Sequence, residues 1–182
     1  MKFLKKNIKN WVLRDESHSG LNLKDRKDLY YKAGLYFLKH KTFIPEEMKI
    51  NKPILVFRGM SLSSKEYKFL LETGNIWRQT ELKNFPMSWT KSLEGTMDFS
   101  FSSNYRNKRV YGIIISRILL PEQIIIDIHN LTHLFPLKDN KRIRTLLSAE
   151  KEILADSSSL LKIKKECIME IPLLPKIKFK KQ

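Results

Sequence analysis

Only one cysteine, Cys167, occurs in the 182 residues. An intrachain disulfide is therefore excluded, and a zinc site built on cysteines has no ligands to draw on. Both suit a reducing compartment. Cys167 lies in an apolar run that reads as buried strand, a poor setting for a reactive thiolate. Glycine is scarce, with six residues and no cluster that would form a phosphate-cradling loop. Long apolar runs are missing as well. The most apolar stretch, Ile113 to Leu120, contains Arg117 and falls well short of the roughly 20 residues that span a bilayer. At the start, Lys5, Lys6, Asn7, Lys9 and Asn10 interrupt every apolar run before a signal-peptide core forms. These absences lead to the expectation of a cytoplasmic protein with no membrane partner. Acidic residues are few, 19 against 35 Lys and Arg, for a formal net charge of +16. Such a field speeds encounter with acidic or nucleic-acid-bearing partners, and it serves plain solubility equally well; charge alone does not choose between them.

What is present suffices for one core. A chain of this length with 42% hydrophobic residues reads as a single domain over 1–182, without repeats or a low-complexity linker. Residues 1–50 read as helical, with Leu4, Ile8, Trp11 and Val12 on one face and Leu29, Ala33, Tyr36 and Phe37 on a second. Asn22 is placed to cap the second helix. From Pro53 the pattern changes to short branched apolar runs: Ile54 to Phe57, Val110 to Ile115, Gln123 to Ile128, Glu150 to Ala155 and Leu160 to Ile171. Ser63 with Glu66 forms a capping box for a helix ending near Gly74, and a second short helix is expected over Leu93 to Ser102. The body, 53–172, is thus a β core, and 173–182 is a basic tail carrying Lys176, Lys178, Lys180 and Lys181. The fold class is α+β.

Three short strings carry the candidate chemistry. Arg58, beside Gly59 at the end of an expected strand, can send its guanidinium to a phosphate or ribose while Gly59 allows close backbone approach; an Arg-Gly pair also closes many ordinary turns. In Ser88-Trp89-Thr90 the two hydroxyls share one face of a strand and can orient a carboxylate, or can simply pair across strands. Glu150 and Glu152, two apart at an expected strand start, project from one face, where a cationic transition state or guanidinium substrate would offset their repulsion. A solvated edge compensated by Lys151 explains the same spacing. His129 and His133, at i, i+4, would face a metal together only on a helix, and no metal site is expected.

Phe57-Arg58-Gly59, Ser88-Trp89-Thr90 and Glu150-Lys151-Glu152, in that order, resemble the active-site motifs of the arginine–serine–ExE class of mono-ADP-ribosyltransferases, which includes bacterial toxins and small tailed-phage enzymes that modify host proteins. The resemblance runs from about Pro53 to the chain end. It implies two packed, mostly antiparallel sheets around an NAD cleft, with helices N-terminal. It implies that Arg58 braces the NAD phosphates and ribose, that the Gly59 backbone bonds the nicotinamide amide, and that Ser88 holds the catalytic glutamate, Glu152. Glu150 then selects arginine as acceptor, and Phe99, with Phe101 as rival, packs on nicotinamide. Ser-Trp-Thr departs from the usual Ser-Thr-Ser, which leaves the NAD-binding role of Thr90 open. The expected loop Thr132 to Leu147, where this class recognises its target, is unusually basic, with Lys138, Lys141, Arg142 and Arg144.

The function implied is transfer of ADP-ribose from NAD to a protein side chain, arginine by preference, with NAD as substrate and no metal. The implied partner is an acidic or nucleic-acid-associated target, such as host transcription or translation machinery if the chain is phage-encoded and acts in host cytoplasm; RNA contact is a further option. Two alternatives stand beside it. One is an NAD glycohydrolase using the same residues, and the other a basic nucleic-acid-binding protein, which Tyr105, Arg106, Lys108, Arg109 and Tyr111 would suit.

Overall fold

The computed structural model describes residues 2–12, 22–41, 49–76, 85–96 and 111–171. Two helices come first. In α1 (Lys2–Val12) the Leu4, Ile8, Trp11, Val12 stripe is buried, as the 3.6-residue period requires. In α2 (Leu23–Lys39) the Asn22 side chain accepts from the Asp25 N–H at 2.9 Å, and Ala33 and Phe37 face inward. These helices pack on one another.

The strands are β1 (Ile54–Leu62), β2 (Met87–Thr90), β3 (Tyr111–Leu119), β4 (Ile124–Asp127), β5 (Glu152–Ala155) and β6 (Ile168–Ile171). Between β1 and β2 lies α3 (Ser64–Thr73), opened by the Ser63/Glu66 capping box and closed by Gly74 in the left-handed region. Residues 93–96 are helical; the rest of the helix expected to Ser102 falls outside the described residues.

The strands form one six-stranded antiparallel sheet in the order β4-β5-β2-β1-β3-β6. The resemblance implies two packed sheets; among the described residues there is one. Its halves, β4-β5-β2 and β1-β3-β6, meet where β1 and β2 share a single register pair, Phe57 opposite Thr90. The β1–β3 pairing, by contrast, runs unbroken from Ile54/Leu119 to Leu62/Tyr111. Ile153 and Leu154 point to opposite faces of β5 and both are fully buried, so this part of the sheet is covered on both sides. On one side Trp89, opposite Ile153, donates its indole N–H to Ser159 Oγ at 2.9 Å. On the other lie Glu152 and Thr90, an opposed pair, with Ser88.

Three expectations need correction. The segment Thr132 to Leu147 is no loop: a 3₁₀ helix, His129–Leu134, leads into α4 (Leu137–Glu150). Buried Ile143 and Leu147, one helical turn apart, anchor that helix to the core, and its basic residues obscured their period. Glu150 therefore ends a helix and does not begin a strand; Lys151 follows in the left-handed conformation (φ 45°) and β5 starts at Glu152. Of the run Leu160 to Ile171, only Ile168–Ile171 is strand, the preceding residues forming 3₁₀ turns at Ser157–Leu160 and Lys165–Cys167. Cys167 accordingly sits half-buried in a turn rather than in strand core.

Candidate active site

Strand order brings three sequence-distant residues together: Glu152 on β5, Ser88 on the adjacent β2, and Arg58 on β1 next to that. The Ser88 hydroxyl donates to Glu152 Oε1. The Arg58 guanidinium donates to the Ser88 main-chain carbonyl. An arginine N–H bonded to the backbone of β2 ties the two sheet halves at their narrow junction and carries positive charge to β2, whose Ser88 donates to the carboxylate on β5.

A fourth residue completes the arrangement. Trp11, at the end of α1, donates its indole N–H to the same Glu152 Oε1 at 3.0 Å. Glu152 is only 3% exposed, and a buried carboxylate needs such charge-assisted donors to offset its lost hydration. In the sequence Trp11 stands out only as part of an apolar helix face. The available signal was chemical: a buried tryptophan carries an N–H that has to find an acceptor.

The remaining candidates are distributed differently. Thr90 is buried and its Oγ1 accepts from the Ser92 N–H at 3.0 Å, so the hydroxyl closes the turn after β2. Arg58 and Gly59 do not end a strand as expected: β1 runs on to Leu62, and they pair with Ile115 and Ile114 within it. The Glu150 main chain ends α4, while its side chain lies outside the described residues, as do Phe99 and Phe101. The pair Glu150 and Glu152 thus does not share the face of one strand, because a left-handed residue turns the chain between them.

Beside the site, the Lys91 ammonium meets Asp127 at 2.8 Å, with the Asp127 side chain 2% exposed. The Lys91 main-chain N–H donates to the Lys151 carbonyl at 3.1 Å, extending the β2–β5 pairing past Glu152. Among the basic residues before the glutamate, Arg144 donates to the Thr132 and Phe135 carbonyls and holds the 3₁₀ helix against α4, whereas Lys141 is exposed. His129 and His133 occupy that 3₁₀ helix, where their Nδ1–H groups donate to the Leu147 and Asn130 carbonyls, each at 2.9 Å. No group of three candidate metal ligands is found among the described residues.

Two strands away from Ser88, a cavity of about 280 Å³ opens along β3, lined by Ser116, Arg117, Lys162, Lys164 and Cys167 among others. Burial pulls the Arg117 guanidinium below its ordinary value, against the opposing pull of Cys167 and Asp156. Among the described residues no helix is long and apolar enough to cross a membrane. No family model, curated protein or solved structure matches the chain.

Proposed function

We propose that the protein is an NAD-dependent mono-ADP-ribosyltransferase acting on a protein side chain, arginine by preference. The observation that carries the reading is the Ser88 hydroxyl donating to Glu152 while Arg58 donates to the main chain of Ser88, the contacts to be expected if the three motifs form one site. In this reading NAD occupies a cleft beside that junction, with Arg58 and Gly59 toward its phosphates, ribose and amide, and Phe99 toward nicotinamide.

The bond between nicotinamide nitrogen and ribose C1′ breaks, nicotinamide leaves with the electron pair, and C1′ becomes oxocarbenium-like, as in glycoside hydrolysis. The Glu152 carboxylate stabilises that positive charge. Unit charges about 4 Å apart at an effective dielectric of about 20 interact by about 4 kcal/mol, about a thousandfold in rate. An acceptor nitrogen then forms the bond to C1′ and gives up its proton. Glu150 keeps the part in acceptor choice that the resemblance implies, from the end of α4 rather than from β5. Hydrolysis of NAD by the same residues without a protein acceptor is the nearest alternative.

The test is incubation of wild type and Glu152→Gln with labelled NAD and a bacterial lysate, reading labelled protein and free ADP-ribose. Glutamine keeps an acceptor oxygen for Trp11 and Ser88, so the variant is expected to fold. Turnover should fall about a thousandfold with NAD binding retained. Unchanged turnover in Glu152→Gln, or none in wild type, refutes the reading, and ADP-ribose without labelled protein replaces it with the glycohydrolase.

A further inference from the structure

We infer that Trp11 is a positioning residue for the Glu152 carboxylate, so that the C-terminal end of helix α1 serves the active site as well as the core. The inference rests on the reading of Glu152 as the catalytic carboxylate. Three observations carry it. First, Trp11 Nε1 and Ser88 Oγ donate to one and the same oxygen, Oε1, from different sides of the chain: one from α1, the other from β2. A single donor fixes a distance; two converging on one carboxylate oxygen also fix the side-chain torsions, which is what holding a charge against a developing cation demands.

Second, the indole is itself immobilised. Its ring stacks against Phe85 at 5.8 Å, meets Phe37 edge-on at 5.9 Å and lies 4.4 Å from Tyr30, so α2 and the segment leading into β2 clamp it from separate directions. Trp11 has no exposed surface. Third, packing alone would not need an indole. Leu4, Ile8 and Val12 fill the same face of α1 with aliphatic groups, and only at position 11 does the stripe carry a donor, 141 residues from its acceptor.

The experiment compares full-length wild type, Trp11→Phe, Leu4→Ala and Glu152→Gln for NAD turnover, with kcat and KM separated and thermal unfolding followed in parallel. Trp11→Phe keeps most of the ring contact and removes the N–H. It should lower kcat about tenfold or more, the usual weight of a hydrogen bond to a charged group, with KM for NAD nearly unchanged. Leu4→Ala loosens the same helix without touching the donor and should leave kcat at the wild-type value. Equal kcat in Trp11→Phe and wild type, with Glu152→Gln inactive, would overturn the inference and spare the function. Equal losses in Trp11→Phe and Leu4→Ala would also overturn it, by making packing the cause. Absence of turnover in wild type would overturn the function and the inference together. Should Trp11→Phe not fold, benzothienylalanine at position 11 keeps the bicyclic shape without the N–H and is held to the same outcomes.

Discussion

Replacing Lys91 by methionine removes one partner of the ion pair beside Glu152 and leaves the other, Asp127, inside the protein. The ammonium and carboxylate lie 2.8 Å apart, with side-chain exposures of 22% and 2%. At an effective dielectric of about 20, charges at that distance attract by about 6 kcal/mol, an upper bound. Desolvation of both groups and the remaining water contact of Lys91 reduce it, and Asp127 Oδ1 still accepts from the Asn130 N–H at 3.3 Å in the variant. A loss of about 3 kcal/mol in unfolding free energy is therefore expected for Lys91→Met. The assay is urea unfolding, with midpoint and slope fitted together. Asp127→Asn should cost less, since the lysine left behind reaches solvent, and the double variant should recover part of the loss because no buried charge is stranded. A Lys91→Met protein within about 0.5 kcal/mol of wild type, or strictly additive single losses, would refute the account.

Two further expectations concern α3. Gly74→Ala puts a side chain on a residue with φ +67° and sets its Cβ 2.8 Å from the Ile163 carbonyl oxygen, so we expect a loss of about 2–3 kcal/mol; Gly74→Asn, which tolerates the backbone but has the same Cβ, should lose nearly as much if the contact dominates, and chemical denaturation of the two variants separates the causes. The Tyr67 hydroxyl is pushed up to about 12, first by burial, then by donating to Glu170 and by that carboxylate's charge. Its proton is thus held more tightly in the folded state, the stabilisation is complete below pH 10 and disappears as pH rises towards 12, and Tyr67→Phe should lose stability less steeply across that window in pH-resolved unfolding.

Local signals in this sequence are legible where local chemistry decides. The Ser63/Glu66 box, Gly74 and the Asn22 cap each satisfy backbone groups within a turn of themselves, and the α1 stripe needs only the helical period. The local pattern misleads where tertiary burial overrides it. α4 has no side-chain cap at Pro136, a non-helical Asn140 inside it, and basic residues around Ile143 and Leu147, so little in its sequence announces a helix. Glu150 and Glu152 look like strand neighbours until a left-handed Lys151 separates them, a conformation that lysine's own preferences do not suggest. The motifs name Arg58, Ser88 and Glu152, which the sheet order brings together, but point neither to the Trp11 contact nor to the Lys91–Asp127 pair. Both depend on which segments the sheet order makes neighbours.

That sheet order also bears on when the chain acquires its chemistry. β5, although late in sequence, is inserted between β4 and β2, both made earlier, and Glu152 is its first residue. A growing polypeptide therefore carries Trp11, Arg58 and Ser88 before the carboxylate to which Trp11 and Ser88 donate has been made. Closing such a non-local pairing is slow compared with forming local helices. On the activity proposed above, a chain truncated before Glu152 lacks the carboxylate on which NAD cleavage depends, and turnover requires the β2–β5 pairing that brings that carboxylate to Trp11 and Ser88.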